Sequence, residues 1–143
     1  MDKEFFIQTA KELNEVSYDA FLEYQENAHK FPGALNARMQ KRDDLEQLIG
    51  PDNVEMMKDN HSNHVQFMIS IFMNKNSGVL VETVLWVFKT YRSHGFSPNY
   101  WEMQLNYWIE VLRESLSAST LREILPYYEW MQANTPLFVK LSD

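Results

Sequence analysis

His61 and His64 stand three residues apart, a spacing that puts both imidazoles on one face of a helix. Metal sites use that spacing. A ferritin-like di-metal centre, however, needs several carboxylates and Glu-x-x-His pairs on facing helices. The run His61-Ser62-Asn63-His64 supplies neither, so the ordinary reading is one buried, hydrogen-bonded histidine and one exposed one. A second chemical candidate is Tyr91, at the head of the run Tyr91-Arg92-Ser93-His94-Gly95-Phe96-Ser97-Pro98-Asn99-Tyr100-Trp101. Here a helix stop and a helix start lie back to back. Gly95 suits a left-handed C-terminal cap, Ser97 an N-cap, and Pro98 a first helical turn. His94 beside Gly95 and His29 at the end of the first helix fit the negative end of a helix dipole.

Hydrolytic chemistry has little to work with. There is no cysteine, no Gly-x-Ser-x-Gly and no glycine-rich phosphate loop. Glu82 and Glu110 fall within apolar helices as candidate buried acids, but solvent or a basic partner is the ordinary fate of such residues. No enzyme is expected. The net charge of −7 argues against a nucleic-acid surface. The one basic cluster, Arg38 to Arg42, runs straight into Asp43, Asp44 and Glu46 and reads as a solvated helix face. The charged N-terminus carries no apolar signal core, and no apolar run approaches the ~20 residues of a membrane span. A cytoplasmic protein is expected.

The elements that position these residues are helices. Four glycines and five prolines cut the 143 residues into helix-sized pieces, and no strand-type alternation persists. The expected fold class is all-α, one domain over residues 1–143, with about six helices. The first is expected from Lys3 to His29, ended by Phe31-Pro32-Gly33, and a second from Leu35 to Leu48, capped by Gly50. A third runs from Asp52 to Asn74 with the stripe Met57, His61, His64, Met68, Ile71 and Phe72. A strongly apolar helix from Val79 to Ser93 reads as central. Pro98 to Leu116 forms a long helix striped by Trp101, Leu105, Trp108, Leu112 and Leu116. The last starts near Ser119, with Pro126 expected to bend it or shift its start. Hydrophobic residues make up 45% of the chain, and eight Met with four Trp fit either an adaptable core or a pocket lined by Met and aromatics.

From about Met57 to Leu141 the pattern resembles a globin-type bacterial sensor domain. In that family a helix with a mid-position His or polar residue precedes a second helix carrying the iron ligand. A Gly follows four residues later, then an apolar residue, then a Pro opening a long helix that begins with aromatics. The counterpart here is Tyr91-x-x-x-Gly95-Phe96-Ser97-Pro98-Asn99-Tyr100-Trp101. The resemblance implies a globin-like fold, places Asp59 to Phe72 as the distal helix, and makes the last two helices a long antiparallel pair. It puts Tyr91 where haem-binding members have His, which implies a haem-less member holding a fatty acid or nothing. The segment from Asn60 to Trp86 and Gly95-Phe96 also resembles the helical region that precedes the binding domain of cobalamin-dependent regulators. That resemblance implies cobalamin only through a separate partner.

The leading expectation is a non-catalytic sensor or regulatory domain that binds a small apolar ligand between helices. His64, Phe67, Met68, Phe88, Tyr91 and Trp108 are its expected ligand-binding residues, with His64 or Tyr91 orienting a polar head. No cofactor and no metal are expected, and a homodimer or a signalling protein is the expected partner. One alternative is a haem-binding gas or redox sensor with Tyr91 or His64 as axial ligand. Another is a protein–protein interaction module whose dimer face lies on the last two helices, supported if Trp101, Tyr127 or Trp130 is exposed.

Overall fold

Serine and asparagine side chains set where four of the helices begin. Ser17, Asn76, Ser97 and Ser117 each accept a backbone N–H two or three residues ahead, at 3.0–3.4 Å. In the computed structural model, which describes residues 3–142, the result is all-helical, with no strand among the described residues. The order is α1 (Lys3–Lys11), α2 (Tyr18–Asn27), a 3₁₀ turn (Ala28–Lys30), α3 (Phe31–Gln40), α4 (Leu45–Ile49), α5 (Val54–Met73), α6 (Ser77–Ser93), α7 (Pro98–Ser115) and α8 (Ala118–Leu141). No helix among the described residues is long and apolar enough to cross a membrane.

Two expected helices are each divided. The first breaks over residues 12–17 because tertiary partners take the carbonyls that a continuing helix would use. Lys75 Nζ donates to the carbonyls of Lys11 and Leu13, and the Tyr127 hydroxyl donates to that of Asn14 at 2.6 Å. Ser17 then caps a fresh start. The expected second helix becomes α3 and α4. Phe31-Pro32-Gly33 opens α3 rather than ending a helix, because Pro32 lies in a first turn, where its missing N–H costs nothing. Pro126 does not shift the start of α8, which runs as continuous helix across Pro126 and Pro136. Both prolines are on the exposed side, where water reaches the carbonyls they free.

The α6–α7 corner forms as its residues predict. Gly95 has φ 102°, and the Phe96 and Gly95 amides donate back to Tyr91 and Arg92 in a Schellman cap. A second corner, at the end of α4, is tied to it. The Ser97 amide donates to the Leu48 carbonyl at 2.7 Å, and Asn53 Nδ2 donates to the carbonyls of Ile49 and His94 at 2.7 and 2.9 Å. This clamp holds the C-terminal end of α6, and with it Tyr91, against the start of α5.

Helices α2 and α8 are joined by reciprocal caps. Glu123 of α8 accepts from the Ser17 amide and hydroxyl at 2.7 and 2.8 Å. Glu23 of α2 accepts from the Ser117 amide and hydroxyl at 2.6 and 2.8 Å, and from Thr120 Oγ1 at 2.8 Å. One buried cluster extends from Phe6 through Leu35, Met68, Leu80 and Trp108 to Phe138. The walls of the site are cut from that cluster.

Candidate functional site

Asn60 and Gln104 are polar residues on apolar helix faces, 4% and 5% exposed, and they bond to each other. Gln104 Nε2 donates to Asn60 Oδ1 at 2.7 Å and to the Tyr100 hydroxyl at 3.0 Å. The Tyr100 hydroxyl donates to the same Asn60 oxygen at 2.7 Å. His61 Nε2 lies 3.0 Å from the Tyr100 hydroxyl, and its Nδ1 is hydrogen-bonded to Asn36. The network links α3, α5 and α7. A second chain runs from Tyr24 of α2 through the Tyr128 hydroxyl of α8 at 3.0 Å to His64 Nε2 of α5 at 2.9 Å. Burial pushes both histidines down to about 3, with the neighbouring His64 adding a smaller push on His61. Both imidazoles are therefore neutral at pH 7.

Beside these networks lies a cavity of about 270 Å³. Helix α5 contributes Asn60, Asn63, His64, Phe67 and Met68, and α6 contributes Thr83, Val84, Trp86, Val87, Phe88 and Tyr91. Trp101, Gln104 and Leu105 of α7 and Met131 of α8 complete the lining. Most of the wall is apolar, and Asn60, Asn63, His64, Thr83, Tyr91 and Gln104 supply its polar groups. None of these lining side chains is charged at neutral pH. Trp86 is 63% exposed and stands at the rim. A wider surface groove of about 430 Å³ runs along Arg113, Leu121, Arg122 and Leu125, rimmed by charge rather than enclosed.

Five of the six residues singled out in the sequence line this one cavity: His64, Phe67, Met68, Phe88 and Tyr91. Trp108 does not. It is fully buried behind His64, whose ring stacks on it at 4.8 Å. His64 is not the exposed member of its pair: it is half-buried and bonded, while His61 is fully buried. Sequence reasoning missed Asn60, Gln104 and Trp101 as site residues. The available signal was a polar residue within an apolar stripe, as Gln104 is between Trp101 and Trp108.

Tyr91 is 8% exposed and rests against Phe96 and Trp101. Burial raises its hydroxyl pKa, the charge of Asp59 raises it further, and the Asn60 amide acts weakly in the opposite sense. The phenol is thus held protonated. A haem bound through Tyr91 requires the phenolate, and no lysine or arginine lines the cavity to stabilise it or to meet the propionates. His64 already gives its Nε2 to Tyr128. These residues do not fit a haem.

Among the described residues, no three His, Cys, Asp or Glu side chains gather as metal ligands. Glu26 and His29 have Glu-x-x-His spacing but lie exposed where α2 ends. Glu82 and Glu110 are exposed and paired, with Lys3 at 3.0 Å and Arg38 at 3.4 Å. Trp101, Tyr127 and Trp130 are all buried within the chain, so they furnish no dimer face on α7 and α8. No family model, no curated protein and no solved structure matches this chain.

Proposed function

We propose that this chain is a non-catalytic sensor or regulatory domain that holds one small, largely apolar molecule between α5 and α6. The observation that carries this reading is the 270 Å³ cavity itself, with a largely apolar wall and a few polar side chains among its lining. A cavity of roughly 150 Å³ holds a benzene-sized ring, so this one takes a ligand nearly twice as large. The absence of any charged lining side chain favours binding over acid–base catalysis.

The order of parts supports kinship with globin-like sensors: α5 with His64 at mid-length, α6 ending at Tyr91, the Gly95 corner, and the long pair α7 and α8. In such a domain occupancy is read by a second copy or by a signalling protein, and a cytoplasmic setting suits the cysteine-free chain.

Titration with the uncharged fluorophore phenylnaphthylamine tests the proposal. Saturable binding at one site is expected in the natural chain. Val84→Phe, which fills the cavity from α6, is expected to keep or raise Tm while weakening binding at least about tenfold. Equal binding in both proteins would overturn the proposal.

A further inference from the structure

We infer that the molecule held between α5 and α6 is planar and aromatic, about two fused rings in size, and is gripped at the mouth of the cavity by Phe67 and Trp86. A saturated molecule of the same skeleton binds more weakly. This inference rests on the ligand-binding reading above and names the chemical class for that same site.

The seam between α5 and α6 is a slot. The two helices follow one another across a short turn at residues 74–76, yet they rest on different neighbours: α5 on α2 and α3, α6 on α1 and α8. The cavity occupies the space where the side chains of two adjacent helices would ordinarily interdigitate. Burial gives the slot a direction. Its inner lining, from Met68 and Phe88 to Leu105 and Met131, is buried, whereas Asn63 and Phe67 of α5 and Thr83 and Trp86 of α6 reach solvent. The mouth therefore has Phe67 on one side and Trp86 on the other.

The rings of the inner wall are already engaged with one another. Phe88 stacks on Trp101 at 4.2 Å, and Tyr91 packs edge-on against Trp101 and Phe96. Phe67 and Trp86 have no ring neighbour among the described residues. Trp86 leaves 63% of its surface exposed at the edge of an apolar cavity, so an apolar partner that covers it gains free energy. A planar ring system entering the slot covers both mouth rings and reaches inward towards the Phe88–Trp101 pair. Ring pairs are stabilised beyond the area they bury, a gain that a saturated ring does not collect. The volume sets the size: a benzene site takes roughly 150 Å³, and 270 Å³ suits two fused rings. Asn63 and Thr83 at the mouth can each donate and accept, so a hydroxyl substituent is accommodated there.

Isothermal titration of the full chain with β-naphthol and with decahydro-β-naphthol at neutral pH separates the two classes. The alcohols share one skeleton and one hydroxyl, and neither is charged. β-Naphthol is expected to bind about tenfold more tightly. Trp86→Leu alters an exposed side chain and keeps the mouth apolar, and it is expected to cut that preference to about threefold or less. Phe67→Leu, from the other side of the mouth, is expected to do the same. Equal or tighter binding of the saturated alcohol would overturn the inference and leave the ligand-binding reading intact. A preference undiminished in both variants would overturn the assignment of the mouth rings as its source. Failure of β-naphthol to bind would also overturn the inference, and failure of phenylnaphthylamine as well would overturn the reading with it.

Discussion

Asn60 shows how much one polar atom organises. Its Oδ1 satisfies two buried donors, and His61 completes the network through Tyr100. Asn60→Leu leaves Tyr100 and Gln104 without that acceptor and is predicted to cost about 2–4 kcal/mol in urea unfolding. A loss below about 0.5 kcal/mol would contradict the network. The two histidines give a pH signature. Their folded pKa values lie near 3 and their unfolded values near 6.5. Below pH 6.5 the unfolded chain binds protons that the native chain refuses, so stability falls as the pH drops from 6.5 towards 3 and is fully present above that window. Each histidine contributes up to about 1.4 kcal/mol per pH unit within it. Thermal melts from pH 7.5 to 4.5 are predicted to show this slope, and His64→Gln to flatten it. None of this is written in local spacing: His61 and His64 were visible as a pair, but their tyrosine partners come from α7 and α8.

At the level of elements, the capping chemistry was the most legible part of the chain. Gly95, Ser97 and Pro98 are local signals, and they act locally. The breaks over residues 12–17 and 41–44 were not legible, because distant side chains make the first and because Arg42, bonded to Asp44 and Tyr107, braces the second. The two positive-φ glycines are predicted to differ. At Gly95 a Cβ meets nothing closer than 4.0 Å, so Gly95→Ala costs only left-handed strain, about 1–2 kcal/mol. At Gly50, with φ 85° and ψ 165°, the backbone region is essentially glycine-only, and a Cβ also lies 3.2 Å from the Gly95 carbonyl oxygen. Gly50→Ala is predicted to cost clearly more, and the reverse ranking in denaturant midpoints would refute the two-corner clamp. The reciprocal caps give a further test. Glu23→Ala and Glu123→Ala are each predicted to cost about 1–2 kcal/mol. The two losses are expected to add, because Ser17 and Glu23 stand six residues apart along α2 and the two carboxylates share no partner. Hydrogen bonding to Ser117 holds the Glu23 carboxyl below its ordinary 4.5. Its share of stability is therefore fully present above that pH and is lost as the pH falls below it through the lowered folded value.

On the scale of the whole molecule, the sequence located the wall of the cavity better than its polar end. The apolar and aromatic residues Phe67, Met68 and Phe88 announced themselves by helical periodicity, and Tyr91 by the corner. Trp108 shares that periodicity but faces the filled core, since a stripe does not tell a packed side from a hollow one. Asn60 and Gln104 carry no motif, and they acquire meaning only once α5 and α7 meet. Four tryptophans report on this geometry at separate places: Trp86 at the rim, Trp101 in the wall, Trp108 behind His64, both of these with buried, unpaired N–H groups, and Trp130 bonded to Thr9 at 2.9 Å. The most direct measurement is a ¹⁵N–¹H spectrum of the four indole N–H groups during titration with phenylnaphthylamine. A saturable shift of the Trp101 indole signal, whose ring lines the cavity, is predicted, with Trp130 unmoved. An unmoved Trp101 signal, or a response confined to exposed Trp86, would contradict a ligand site between α5 and α6.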